Sequence, residues 1–115
     1  MLKLANLFRS KLQNEAMEAY FHRLPNGIKV EWFRDGDFII GNIFTEGNKY
    51  MTQALSANEF IEMVNDTLLA VYNIPSAYQK ELLKYKKFRP SIQEFNDLNN
   101  VAIKKSSLQF EKQLA

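Results

Sequence analysis

The fourteen residues Met51–Val64, MTQALSANEFIEMV, start in the two-residue rhythm of a strand and finish in the rhythm of a helix. No other stretch constrains the fold as much, because a strand must end where a helix begins, with no room for a linker. The pivot is Ser56. With Glu59 three residues later it has the Ser-x-x-Glu spacing of a capping box. In that motif the serine hydroxyl accepts from an amide of the first turn and the carboxylate returns to the amide of the cap. Such a cap contributes about 1 kcal/mol and fixes where the chain turns. Phe60, Ile61, Met63, Val64, Leu68, Leu69, Val71 and Tyr72 then spread an apolar surface along the helix, which Asn73-Ile74-Pro75 stops. This helix is expected to lie in the core, against the sheet.

The residues before the pivot supply that sheet. Ile28, Val30 and Trp32 alternate with Lys29, Glu31 and Phe33, the pattern of a strand with one buried face. Asp35-Gly36 signals a hairpin, and FIIGNIFT follows as a more apolar and therefore more central strand. Gly41 in its middle marks either a bulge or a place where another group comes close. Glu46-Gly47-Asn48 turns the chain into a third strand, KYMTQAL. Upstream, Ala5, Phe8, Leu12, Ala16, Ala19 and Tyr20 recur at helical spacing, and Leu24-Pro25-Asn26-Gly27 ends that helix.

After Pro75, SAYQKELLKYKKF reads as a short helix with Ser76 as cap. A second capping box, Ser91 with Glu94, starts another beyond Pro90. Ile92, Phe95, Leu98, Ala102, Leu108 and Phe110 continue an apolar rhythm that Lys104-Lys105-Ser106-Ser107 interrupts, and the last ten residues are expected to fray. The expected fold class is α+β: an N-terminal helix, a three-stranded antiparallel β-meander, a long core helix packed on the sheet, then two C-terminal helices. The chain of 115 residues fits a single domain. Its parts are an N-terminal helix over 1–24, a βββα core over 28–72 and a C-terminal helical extension over 76–115.

Composition narrows the chemistry. The absence of cysteine excludes disulfides, thiolate metal sites and cysteine nucleophiles, and fits a cytoplasmic protein. A single histidine, His22, cannot build a multi-histidine metal site. No apolar run approaches the roughly 20 residues of a membrane helix. Arg9, Lys11, Glu15 and Glu18 also break the N-terminal stretch that a secretory signal would need. The net charge of +2 is unevenly spread, with an acidic middle over 28–75 and a basic tail over 76–115.

Candidate catalytic groups have structural explanations. His22, one turn after Glu18, sits where a histidine complements a helix C-terminus. Asp35 and Asp37 flank a hairpin glycine, and Glu59, Glu62 and Asp66 form a solvated acidic side of the core helix. No glycine-rich phosphate loop is present, and one histidine without a partner serine makes no triad. The strongest nucleic-acid candidate is the basic 80–89 segment, where Lys84, Lys86, Lys87 and Arg89 are interleaved with Tyr85 and Phe88. The small net charge counts against a dedicated nucleic-acid binder.

Residues 28–72 resemble the HicB-like antitoxin domain, a small module with part of the ribonuclease H topology. The likeness lies in the hairpin around DGDFIIG and in MTQALSANEFIEMVNDTLLAVY, where Thr52, Gln53, Ser56, Glu59, Ile61 and Leu68 fit the family's run. The resemblance implies a non-enzymatic protein that binds a protein partner, such as a toxin it neutralises. It supplies no catalytic, cofactor-binding or metal-binding residue. Self-association is the other expected mode, with Leu4, Phe8 and Leu12 of the N-terminal helix in the seam of a dimer.

Overall fold

The computed structural model describes residues 15–25, 27–85 and 87–109. The chain is α+β. Among these residues a helix over 15–23 (α1) precedes the strands β1 (Lys29–Asp35), β2 (Phe38–Thr45) and β3 (Asn48–Ala54). The helices α2 (Ala57–Val71), α3 (Ser76–Tyr85) and α4 (Ile92–Asn99) come next, and the strand β4 (Lys105–Gln109) closes the order. The expected meander is present as β1-β2-β3, antiparallel throughout. β4 adds to it, pairing antiparallel with β1 so that the sheet reads β3-β2-β1-β4.

The two hairpins follow from their turns. Asp35 pairs with Phe38, leaving Gly36 and Asp37 as the loop, and Thr45 pairs with Asn48 around Glu46 and Gly47. Both residues of the second loop have positive φ, 50° and 73°, as a type I′ turn requires. Gly41 is the place of close approach foreseen for it. A Cβ there would lie 2.6 Å from Cε2 of Phe60, so its absence lets the α2 ring rest directly on β2.

Ser56 caps α2 as the spacing predicts, its hydroxyl accepting from the Glu59 amide at 3.1 Å. The carboxylate arm of the box is made at the other site. Glu94 accepts from the Ser91 amide at 2.8 Å while Ser91 accepts from Glu94, so the full box belongs to α4. α2 ends in a Schellman arrangement. Asn73 is left-handed at φ 55°, its amide donates to Ala70, and the Ile74 amide donates to Leu69.

One core cluster joins the inner face of the sheet (Val30, Trp32, Ile39, Ile43) to Phe60, Val64 and Leu68 of α2. Leu82 of α3, Phe88 and Leu98 of α4 complete it. Met17, Tyr20 and Phe21 bring α1 onto the same cluster, and the Tyr20 and Tyr78 rings stand 5.1 Å apart. This shifts the α1 stripe from the expected one. Ala19 is exposed and the large side chains face inward, because a methyl group gains far less from burial than a thioether or phenyl group.

Two polar side chains fasten the C-terminal part to this core. Asn65, buried on α2, presents both faces of its amide to the peptide of Phe88. Its Nδ2 donates to the Phe88 carbonyl at 3.2 Å, and its Oδ1 accepts from the Phe88 amide at 2.7 Å. Arg34 on β1 reaches the end of α4. Its Nε donates to Ile103 at 2.7 Å, and Nη2 donates to the carbonyls of Leu98, Asp97 and Asn100. A guanidinium there meets both the orphan carbonyls and the negative end of the helix dipole. Beside it the Arg34 amide donates to Lys104 at 2.7 Å, where the chain enters β4.

β4 corrects the expectation that residues beyond 99 are helical or frayed. Its five residues satisfy the backbone groups of β1 that the meander alone leaves unpaired.

Candidate interaction surface

Among the described residues the sheet has one covered face and one uncovered face. Because side chains alternate along a strand and registered partners point the same way, the pairing of β1, β2 and β3 assigns every residue to a face. Lys29, Glu31, Phe33 and Asp35 form the outer row of β1. Phe38, Ile40, Asn42 and Phe44 form that of β2, and Lys49, Met51 and Gln53 that of β3. Lys105 of β4 stands beside Phe33. On the inner face Val30, Trp32, Ile39, Ile43, Thr52 and Ala54 are buried, whereas on the outer face Phe33 is 40% exposed, Phe38 41% and Met51 65%, with Ile40 buried among them. Phe33 is registered with Ile40, while on β3 Gln53 faces Ile40 and Met51 faces Asn42, so the apolar side chains of the three strands meet only on the diagonal.

Charge surrounds this patch without dominating it. Lys29 Nζ lies 3.0 Å from Glu31 Oε1 and 5.8 Å from the centre of the Phe44 ring. Between β1, β2 and β4 runs a cleft of about 550 Å³ lined by Glu31, Trp32, Phe33, Asn42, Lys105 and Ser106. Asn42 Oδ1 is buried and has no hydrogen-bond partner among the described residues. An acceptor in that state is destabilising until a donor reaches it.

A second cleft, about 530 Å³, lies where the link from α1 meets the turn after β2, among Pro25, Gly27, Phe44, Glu46 and Tyr72. The Thr45 and Tyr72 hydroxyls share a hydrogen bond of 2.5 Å in its wall. Burial pushes the Tyr72 phenol above its ordinary pKa of 10.0 against the lowering effect of the Thr45 bond, and the Glu46 carboxylate adds to the rise.

The residues singled out from the sequence fall mostly elsewhere. Leu4, Phe8 and Leu12 lie outside the described residues, as does Lys86. Lys84 pairs with Glu81 at 2.8 Å, Lys87 is half-buried, and Arg89 is exposed just past the buried Phe88. His22 lies 3.8 Å from Glu18 on the exposed side of α1. Asp35 and Asp37 stand at the exposed hairpin, and Glu59, Glu62 and Asp66 are all solvated. Among the described residues no three His, Asp or Glu side chains are grouped to hold a metal, and no helix is long and apolar enough to cross a membrane. Of the residues carrying the HicB-like resemblance, Thr52 and Leu68 are buried. Gln53 is on the outer face, Ser56 is the cap, Glu59 is exposed and Ile61 is half-buried.

Sequence reasoning passed over the outer-face residues. The available signal was that both phases of FIIGNIFT are apolar and that Phe33 falls in the polar phase of its strand. A strand apolar on both sides needs cover on both sides.

Comparison with protein-family models, with curated proteins and with solved structures finds no match to this chain. The likeness of residues 28–72 to HicB-like domains rests on the residues quoted for it.

Proposed function

We propose that this chain is a non-enzymatic, cytoplasmic interaction protein with a HicB-like core. It acts by binding a protein partner, toxin neutralisation being one such role, or by self-association. The observation that supports this reading is the outer face of the sheet, where Phe33, Phe38 and Met51 are exposed on three neighbouring strands around the buried Ile40 and among charged residues. Contiguous apolar patches with polar rims are the usual mark of protein-binding surfaces, whereas scattered apolar side chains are not.

The experiment is affinity capture from the cells that make the protein, with the native chain beside Phe33→Glu. The native chain is expected to bring down one protein in stoichiometric amount, and the variant, altered only at an exposed side chain, to lose it. Equal capture by both contradicts the reading. Oligonucleotide binding that falls steeply with salt and disappears when Lys84, Lys86, Lys87 and Arg89 become alanine would support the nucleic-acid alternative instead.

A further inference from the structure

The outer face of the sheet is complementary to itself. Along β1 its row runs Lys29, Glu31, Phe33, Asp35, and turned end for end the same row sets Asp35 over Lys29 and Glu31 over Phe33. Along β2 the row Phe38, Ile40, Asn42, Phe44 becomes Phe44 over Phe38 and Asn42 over Ile40. Both reversals share one line. The midpoints of the two rows fall at Trp32 and Gly41, which are partners in the register, so a single two-fold axis across the strands serves both. A second copy laid face to face about that axis meets opposite charge at both ends of β1 and an aromatic ring at both ends of β2, with Glu31 against Phe33 and Asn42 against Ile40 between them.

We infer that this face binds the same face of a second copy, with the two β1 strands antiparallel and Lys29 of each chain against Asp35 of the other. The inference rests on the protein-binding reading above. Base stacking by single-stranded nucleic acid is the competing use of exposed aromatics on a sheet. Glu31 and Asp35 weigh against it, because they offset two of the three lysines of the face (Lys29, Lys49, Lys105) on a central strand a phosphate backbone would have to cross. The size of the face sets the strength. Four strands about 4.8 Å apart and seven residues of about 3.3 Å give a footprint on the order of 450 Å². A standard stable interface buries about 800 Å² per partner, so the pair is a weak, concentration-dependent dimer.

Sedimentation equilibrium of the full chain from about 1 μM to about 1 mM spans the range in which so small an interface associates. Reversible dimerisation is expected. Lys29→Glu and Asp35→Lys, both at exposed side chains, should each weaken it about tenfold by placing like charges opposite one another. An equimolar mixture of the two variants should recover native affinity, since each then supplies the charge the other lacks. Should Lys29→Glu fail to fold, weakening of the native dimer by added salt reports the same pairs.

A monomer throughout the range overturns the inference, as does a dimer that neither variant affects. So does a monomer that binds a fluorescent single-stranded oligonucleotide through Phe33. A monomer that still loses a captured partner on Phe33→Glu overturns self-pairing alone. A monomer whose capture is unchanged by Phe33→Glu overturns the protein-binding reading with it.

Discussion

Gly41 and Phe60 are the tightest fit between sheet and helix. Gly41→Ala would drive a methyl carbon to within 2.6 Å of a ring with no free volume, since Phe60 is fully buried. Overpacking of this kind costs about 1–3 kcal/mol. Urea unfolding should show that loss for Gly41→Ala and a smaller one when Phe60→Leu is added to it, because neighbouring sites couple. The close approach was legible in the sequence, as a lone glycine inside an otherwise apolar strand. Asn65 was not: an asparagine in a helix carries no sign that its amide will bond a peptide 23 residues away.

Tyr72 gives the residue scale a pH signature. Its phenol is held protonated in the fold above its ordinary pKa of 10.0, mainly by burial. The folded chain therefore binds that proton more tightly than the unfolded one. The associated stability is complete below pH 10.0 and is lost as pH rises from there through the folded value. The stability difference between the native chain and Tyr72→Phe, measured by urea unfolding, should be constant through neutral pH and shrink above pH 10.0. A difference that does not change with pH contradicts this account of Tyr72.

At the scale of elements, legibility followed how local the determinants are. Both hairpins and both capped helices are written in a few adjacent residues, and each stands where Asp35-Gly36, Glu46-Gly47, Ser56 and Ser91 put it. β4 is written differently. Its partner strand lies more than 70 residues earlier, and Lys-Ser-Ser-Leu-Gln has one apolar residue and no turn of its own. What it contributes is main-chain hydrogen bonds, which leave little trace in sequence. What positions it is Arg34, whose guanidinium gathers the carbonyls at the end of α4. Replacing Arg34 with Met keeps the apolar stem and removes the donors, at an expected cost on the order of 2 kcal/mol. Hydrogen exchange should then show the β4 amides losing protection before those of β2. Uniform loss across the sheet, or none in β4, contradicts the role given to Arg34.

For the molecule as a whole the decisive feature is that, among the described residues, the sheet has its helices and its core on one side. Binary alternation in β1 foretold a buried inner face, but the outer face departs from it. Phe33, Phe38, Ile40, Phe44 and Met51 stand where a solvated sheet would carry polar residues. The exposure of that apolar outer face is directly measurable, because the chain has no native cysteine. Single cysteines at Met51 and Thr52, adjacent on β3 but on opposite faces, should react with a maleimide at very different rates in dilute solution. The cysteine at position 51 is expected to label nearly as fast as in unfolded chain, and that at position 52 to be protected until the chain unfolds. Protection at position 51 in the dilute, folded chain would mean that the outer face is already covered, and would contradict an apolar face open to a partner.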